Sequence, residues 1–226
     1  MASEEIEFKS NGGTTRGYLS IPAQGSGPGV MVLQEWWGLV PHIKDVADRF
    51  AAEGFVALAP DLYHGTSTTS PDEAGKLMMA LNIDRTEKDL RGAVNYLLNH
   101  KSVTSNTVGT VGFCMGGVLS LYAASKNPQV GACVVFYGIH PKVRPDLENL
   151  RAPVLGLYAE KDDFVPLSAV RELETKLKSL GKQVEMHIYP DTDHAFFNDT
   201  RPEVYDPQAA ADSWRRTLAF FRQHLG

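Results

Sequence analysis

One stretch constrains the fold of this chain more than any other. It runs from Val108 to Gly117 and reads Val-Gly-Thr-Val-Gly-Phe-Cys-Met-Gly-Gly. A β-branched segment leads into it and an apolar helical pattern follows, so the sequence predicts a strand, a sharp turn and a helix. Cys114 stands at the apex, between Gly112 and Gly116. This spacing is typical of a nucleophile elbow, in which side chains at the two glycine positions would collide with neighbouring backbone.

The predicted turn gives Cys114 a special electrostatic position. It places the side chain above the N-terminus of the following helix, where unpaired N–H groups and the helix dipole favour negative charge. A thiolate, or the oxyanion of a tetrahedral intermediate, would be stabilised there. A lone cysteine is more often a small buried apolar residue. We interpret Cys133 in that way, because it lies inside a predicted strand.

Short apolar strands alternate with amphipathic helices along the rest of the chain. The run from Gly29 to Leu33 is apolar throughout, as in a strand buried on both faces. We therefore predict an α/β fold, with a mainly parallel, doubly wound sheet of about seven to eight strands and helices on both faces. No linker or repeat interrupts the sequence, so we expect one domain over residues 1–226. Besides a hairpin over 4–21, the predicted strands are 29–33, 55–59, 108–111, 132–137, 153–158 and 183–188, and the predicted helices include 42–53, 71–81, 84–100, 167–180 and 207–224.

Two loops supply candidates for a base and an acid. Asp162 and Asp163 follow the predicted strand 153–158, and His194 follows the strand 183–188. The carboxyl ends of parallel strands meet at one edge of a sheet, and that edge is where open α/β sheets bind ligands. Elbow hydrolases carry the nucleophile, the acid and the histidine in this order along the chain. We therefore expect Cys114, His194 and an aspartate from the first loop to meet at that edge.

Composition excludes several other classes of protein. A hydrophobic content of 43% and a charged content of 22% are ordinary for a soluble globular chain. The net charge of −5 and the lack of a basic cluster argue against nucleic-acid binding, and no apolar run approaches the ~20 residues of a membrane span. The acidic N-terminus does not resemble a signal peptide, and two cysteines do not make a disulfide framework, so we expect a cytoplasmic protein with reduced thiols. A metal site at Asp191, Asp193 and His194 would need a second His or Cys cluster, which the sequence lacks, so we expect no metal or cofactor. We expect a monomer or a small homo-oligomer.

Further motifs accompany the elbow. They are Gln34-Glu35 after the first buried strand, Ala59-Pro60-Asp61-Leu62-Tyr63, Tyr137-Gly138, Asp162-Asp163-Phe164-Val165-Pro166 and His194-Ala195-Phe196. Over nearly its whole length the chain resembles the dienelactone hydrolase, or carboxymethylenebutenolidase, family of the α/β-hydrolase superfamily. The resemblance implies hydrolysis of a small lactone or ester by a Cys-His-Asp triad through a thioester acyl-enzyme.

The same resemblance assigns a role to each residue of the triad. Cys114 would be the nucleophile, and His194 would accept its proton or stabilise the thiolate as imidazolium. The family's acid is the first residue of an Asp-x-x-Val-Pro pattern, which selects Asp162 to orient the imidazole. The backbone N–H groups of Met115 and Trp36 would form the oxyanion hole.

Glu35 and a set of substrate contacts complete the predicted site. In the family a glutamate after the first buried strand is thought to keep the thiol neutral until substrate binds, and Glu35 matches it. The alternative interpretations of Glu35 are a loop ion pair or a cap on the helix 42–53. For substrate binding we predict contacts from the following residues: Trp37, Phe113, Tyr137 and Asn198.

The sequence departs from the family where a substrate carboxylate would be held. The best-known members use two arginines, one of them four residues after the catalytic histidine, where this chain has Asn198. The segment from Ser67 to Leu81, expected to carry the other, contains no arginine. Possible substitute cations are Lys76, Arg85, His140 and Arg201. The predicted substrate is therefore a small lactone or ester, and dienelactone itself is not specified.

Three alternative functions remain open from the sequence. A general carboxylesterase or thioesterase would use the same triad with an apolar acyl pocket of Trp36, Trp37 and Phe113. A hydrolase fold that has lost turnover could act by binding alone. A redox-sensing thiol normally needs a resolving cysteine, and Cys133 is predicted to be buried a strand away.

Overall fold

The computed structural model describes residues 1–226 and contains eight strands and six helices. The strands are β1 (Ala2–Ser10), β2 (Gly13–Ile21), β3 (Gly27–Leu33), β4 (Val56–Pro60), β5 (Val103–Phe113), β6 (Val130–Phe136), β7 (Val154–Ala159) and β8 (Val184–Tyr189). The helices are α1 (Pro41–Ala52), α2 (Pro71–Ala80), α3 (Ile83–Asn99), α4 (Met115–Lys126), α5 (Leu167–Ser179) and α6 (Pro207–Leu225). None of these helices is long and apolar enough to cross a membrane.

All eight strands form one sheet in the order β1-β2-β4-β3-β5-β6-β7-β8. The β1–β2 hairpin pairs antiparallel and joins the edge of β4, whereas β4, β3, β5, β6, β7 and β8 run parallel. The predicted α/β fold, with its mainly parallel sheet, is confirmed. The parallel strands all end at one edge, and the loops that follow β3, β5, β7 and β8 gather there.

Helices cover the two faces of the sheet and bury a separate apolar cluster on each. Side chains of α3, α4 and α5 pack on one face, and side chains of α1 and α6 pack on the other. Strand β3 shows how one strand serves both clusters. Met31 and Leu33 face the first, Val30 and Val32 face the second, and all four are fully buried. This explains why the sequence of β3 is apolar without alternation.

The structure corrects two local predictions. Helix α3 begins at Ile83 rather than at residue 84, because the Asn82 side chain caps it by accepting a hydrogen bond from the Arg85 N–H at 3.0 Å. Asp84 lies inside the first turn, where its charge favours the helix dipole. Strand β5 begins at Val103 rather than at Val108. Its first residues form a half-exposed extension, in which Val103 pairs with Gly27 before the register shifts.

Candidate active site

Cys114 occupies a tight turn between β5 and α4. Its backbone has φ 53° and ψ −117°, an unusual conformation for a residue with a side chain. Such a conformation costs about 1–3 kcal/mol and persists only where the surroundings impose it. Here the Cys114 N–H donates to the Phe136 carbonyl at 3.1 Å, and the Cys114 carbonyl accepts from the Gly117 N–H at 2.9 Å. These bonds hold the thiol at the carboxyl edge of the sheet.

The flanking glycines are required by close backbone contacts. A Cβ atom at Gly112 would lie 1.9 Å from the Gly116 carbonyl oxygen, and one at Gly116 would lie 2.4 Å from the Leu33 carbonyl oxygen. Both distances are far below a van der Waals contact, and backbone atoms on both sides leave no room to relax. The steric reason given for the elbow motif therefore agrees with the structure.

Asp162 is held rigidly in the loop after β7. Its Oδ1 accepts hydrogen bonds from the Phe164 and Val165 N–H groups at 2.8 and 2.9 Å, and its side chain is completely buried. Its Oδ2 lies 2.7 Å from His194 Nδ1. The adjacent Asp163 is exposed and does not reach the histidine. The geometry thus brings together the pair that the sequence selected.

His194 lies between Asp162 and Cys114. Burial opposes a charge on its ring, but hydrogen bonding to Asp162 and the closeness of Cys114 outweigh it and raise the pKa of His194 to about 10. With Nδ1 facing Asp162, Nε2 is the nitrogen left for the thiol. The ring also packs against Tyr137 and Phe164, with centroids 4.9 and 5.0 Å away. The imidazole is therefore fixed in position and favoured in its charged form.

The N–H groups of Met115 and Trp36, predicted to form an oxyanion hole, have no hydrogen-bond partner in the protein. Met115 is the first residue of α4, where an N–H has no partner within the helix. Trp36 lies in the loop after β3, and its N–H makes no hydrogen bond in the protein. Both loops border the turn at Cys114, because the carbonyls of Leu33 and Gln34 contact Gly116.

Glu35 is buried beside the thiol and has only one hydrogen-bond partner. Its side chain is 1% exposed, its Oε2 accepts from Asn198 Nδ2 at 2.9 Å, and its Oε1 has no partner. It forms no ion pair, and the cap position of α1 belongs to Val40, so both alternative interpretations of Glu35 were wrong. An unpaired buried carboxylate oxygen is costly, and Glu35 lines the same cavity as Cys114.

A cavity of about 420 Å³ opens above Cys114. Its walls are mostly apolar, and charged groups enter only from Glu35, His194 and Arg201. The lining residues are Glu35, Trp36, Trp37, Pro71, Met78, Cys114, Ile139, Pro141, Phe164, His194, Ala195 and Arg201. Its volume fits a small organic substrate.

Three of the four predicted substrate contacts lie outside this cavity. Trp37 lines it as expected, but Phe113 and Tyr137 are fully buried. Phe113 still belongs to β5 and points to the face of the sheet covered by α1 and α6, where it stacks on Phe197 with centroids 5.2 Å apart. Asn198 hydrogen bonds Glu35 instead of lining the cavity. The prediction of direct substrate contact was therefore wrong for Phe113 and Tyr137, whose side chains reach no cavity wall.

Tyr137 lies directly behind the histidine. Its hydroxyl is buried without a hydrogen-bond partner, and burial together with the charges of Glu35 and Cys114 raises its pKa well above the usual value. The phenol therefore stays neutral and supports the His194 ring by packing.

Sequence reasoning missed most of the apolar wall. Met78 comes from α2, Ile139 and Pro141 from the loop after β6, and Phe164 from the loop after β7. The sequence offered a signal for Phe164 alone. A phenylalanine two residues after a candidate catalytic acid lies in the same loop as that acid and is therefore expected near the site. It is 55% exposed and forms one side of the cavity mouth.

Of the four candidate cations, Arg201 alone reaches the cavity. Lys76 pairs with Glu73 on the outer face of α2, and Arg85 is exposed at the start of α3. Burial lowers the pKa of His140, whose Nε2 lies 3.0 Å from the Met78 carbonyl oxygen, so it does not supply a charge. Apart from the imidazole of His194, Arg201 is thus the only cationic side chain that lines the cavity.

Cys133 is fully buried in β6, and both cysteines are free thiols. Burial raises the pKa of Cys133 to about 11. An inert thiol of this kind is a poor resolving partner for Cys114, which weighs against a redox sensor. No group of three His, Cys, Asp or Glu side chains in the protein is arranged to bind a metal ion.

Comparison with known proteins agrees with this architecture. The family model of the dienelactone hydrolase family matches residues 15–225. This chain belongs to the dienelactone hydrolase family. The prediction of a carboxylic-ester hydrolase is confirmed at the level of the family.

Individual relatives span almost the same length. A protein of Aquifex pyrophilus called protein usf is 42% identical, over 97% of this chain and 98% of its own. A protein of Aquifex aeolicus provisionally named a carboxymethylenebutenolidase is 37% identical over the same shares. The crystal structure of a protein from Klebsiella pneumoniae, provisionally named a dienelactone hydrolase, superposes with a TM-score of 0.90 at 31% identity and covers 99% of both chains.

Proposed function

We propose that this protein is a cysteine hydrolase of small lactones or esters that acts through a Cys114–His194–Asp162 triad. The observation that carries the proposal is the 2.7 Å contact between His194 Nδ1 and Asp162 Oδ2, which orients the ring toward a thiol at the apex of an elbow. Nucleophile, base and orienting acid are the three parts that such catalysis requires. Two of them, Cys114 and His194, line a cavity large enough for a small ester.

The acylation step follows from these positions. Cys114 Sγ attacks the carbonyl carbon, and a C–S bond forms while the carbonyl oxygen gains negative charge. The N–H groups of Met115 and Trp36 stabilise that oxyanion. The C–O bond to the alkoxide or enolate then breaks, leaving a thioester on Cys114. The leaving oxygen takes the thiol proton held on His194, which returns the imidazole to its neutral form.

The deacylation step uses the same groups. His194 Nε2 removes a proton from water, the resulting hydroxide attacks the thioester carbonyl, and the C–S bond breaks to release the acid and restore Cys114. Asp162 stabilises the imidazolium that forms in each half of the cycle. The raised pKa of His194 supports this, because a ring that is readily protonated also stabilises a thiolate beside it.

We propose that Glu35 restrains the nucleophile. A buried carboxylate lining the same cavity as Cys114 opposes a standing thiolate by like-charge repulsion. Asn198, where the best-known relatives carry an arginine, holds Glu35 with a neutral amide at 2.9 Å. An amide leaves the full negative charge of Glu35 in place, whereas an arginine would offset it.

A substrate panel tests the proposal. We expect the wild type to hydrolyse dienelactone or a set of short p-nitrophenyl esters, with the Cys114→Ala variant as the inactive control. The alternative of a general carboxylesterase rests on the apolar wall formed by Met78, Ile139 and Phe164. This carboxylesterase alternative is favoured if kcat/KM rises with the length of the acyl chain and the protein does not hydrolyse dienelactone. Hydrolysis of no lactone or ester by the wild type would overturn the proposed function.

A further inference from the structure

A second cavity adjoins the candidate active site. It has a volume of about 560 Å³ and shares Trp37, Pro71 and Arg201 with the first. The Arg201 guanidinium lies over the Trp37 ring, 6.0 Å from its centroid. These two side chains therefore stand at the boundary between the cavities. An ester that fills the first cavity and passes this boundary would enter the second.

The second cavity differs from the first in chemistry. The second is more polar than the first, because hydroxyl, amide and imidazole groups line it alongside the apolar Trp37, Val40, Pro41 and Pro71. Its polar lining residues are His42, Thr68, Thr69, Asn198, Thr200, Arg201 and Glu203. These side chains offer both hydrogen-bond donors and hydrogen-bond acceptors. A ligand group that carries several hydroxyls needs both, because each hydroxyl donates and accepts.

The charges of this cavity cancel locally. Arg201 Nε lies 2.8 Å from Glu203 Oε1, and Asp199, behind His42, pairs with Arg49. A pair of opposite charges leaves little net field for an anion. The lining therefore suits a neutral hydroxylated group better than a carboxylate.

His42 supplies an unsatisfied polar group at this cavity. It is 3% exposed, and neither of its ring nitrogens makes a hydrogen bond within the protein, although Nδ1 lies 3.4 Å from an Asp199 oxygen. Its ring is held by contacts with Phe113 and Phe197, both 6.5 Å away between centroids. A buried polar group without a partner is costly, and a ligand hydroxyl would offset that cost.

The hydroxyl of Thr200 ties this cavity to the candidate catalytic groups. Thr200 Oγ1 donates to Asn198 Oδ1 at 2.7 Å, and Asn198 Nδ2 donates to Glu35 Oε2. The polar wall is therefore held in a fixed position relative to Cys114, which is a condition for discrimination between substrates.

We propose that the second cavity is a specificity subsite for a neutral, hydroxylated part of the substrate. This rests on the proposed function, because the subsite matters only if esters are cleaved at Cys114. The preferred substrates would then have an apolar portion in the first cavity and a diol-like or polyol-like portion beyond Trp37 and Arg201.

Matched ester pairs test this proposal on the purified full chain. One pair is propyl acetate and 2,3-dihydroxypropyl acetate; the other is methyl butyrate and methyl 3,4-dihydroxybutyrate. The pairs place the diol on the alcohol half or on the acyl half. One gained hydrogen bond of ordinary strength predicts a kcat/KM about tenfold higher for the diol in at least one pair. Equal values within both pairs, with all four esters hydrolysed, would overturn the subsite and leave the proposed function standing.

Variants locate the preference in the cavity. We expect His42→Phe and Thr69→Val each to bring the diol-to-alkyl ratio of kcat/KM toward one. Thr66→Val is the matched control, since Thr66 lies in the same loop but outside this cavity, and it should keep the wild-type ratio. Thr69 is exposed, so its variant tests the proposal even if His42→Phe does not fold. A wild-type ratio in both cavity variants contradicts the assignment, and no hydrolysis of any ester contradicts the proposed function instead.

Discussion

The two sides of the candidate active site are built by different means. On the triad side, the buried Asp162 is held by two backbone N–H groups, and it in turn holds the partly exposed His194 through a side-chain hydrogen bond. On the wall side, Met78 and Phe164 are held by packing alone, and Phe164 is more than half exposed. Hydrogen bonds therefore fix the positions of Asp162 and His194, whereas few contacts constrain the side chains that give the cavity its shape.

The largest effect is expected on the triad side. Asp162→Asn removes the charge that stabilises the imidazolium and permits the wrong tautomer of His194, so kcat should fall by about 10⁴-fold. Asp163→Asn is the matched control, one residue away and exposed, and should change kcat by less than about threefold. Steady-state kinetics on one activated ester measures both. Equal losses in the two variants would show that Asp162 has no special role.

A smaller effect is expected at Glu35, between the two sides. Glu35→Gln removes a negative charge next to the thiol, so more of Cys114 should be ionised at neutral pH. The rate of alkylation by iodoacetamide at pH 7 should rise by ~3–10-fold, since a tenfold change corresponds to one unit of pKa. Glu160→Gln removes an exposed carboxylate outside the cavity and should leave this rate unchanged. An unchanged rate in Glu35→Gln would refute the restraining role.

On the wall side the expected effect is on substrate binding. Phe164→Ala removes one side of the cavity mouth, so KM should rise roughly fivefold with kcat within about twofold, because partial burial of a phenyl ring contributes about 1 kcal/mol. Met79→Ala removes an exposed apolar side chain of α2 that does not line the cavity, and its KM should stay at the wild-type value. A fall in kcat without a change in KM would mean that Phe164 acts through the His194 ring it contacts.

The last expected effect is on stability rather than on catalysis, and it depends on pH. The pKa of His194 is raised from 6.5 to about 10 in the folded protein, so its contribution to stability is fully present below pH 6.5. It is lost as pH rises toward 10. Unfolding by urea at pH 6 and pH 9 should therefore show a larger loss of stability for the wild type than for His194→Gln. Parallel losses in the two proteins would place the stabilising interaction elsewhere.

The fold and the contact between Asp162 and His194 could be predicted because their signals are local. Close backbone approach requires glycine at 112 and 116, and a buried parallel strand requires an apolar run such as Val30 to Leu33. The aspartate and histidine follow strands, and strand ends converge at one edge whatever the details of packing.

The wall and the supporting residues could not be predicted for a physical reason. Which side chains border a cavity depends on how distant loops and α2 pack, and that has no period or spacing in the sequence. Phe113 shows the limit most clearly. It neighbours Cys114 in the chain, yet Cys114 lines the cavity whereas Phe113 is fully buried in the core.

The central claim is that turnover passes through a thioester on Cys114. Rapid acid quenching of the wild type during hydrolysis of p-nitrophenyl acetate, followed by peptide mass spectrometry, should find an acetyl group on the peptide that contains Cys114 and not on Cys133. The Cys114→Ala variant should show neither the adduct nor a burst of p-nitrophenol. Full turnover by Cys114→Ala, or acetylation at another residue that matches the burst, would contradict the account.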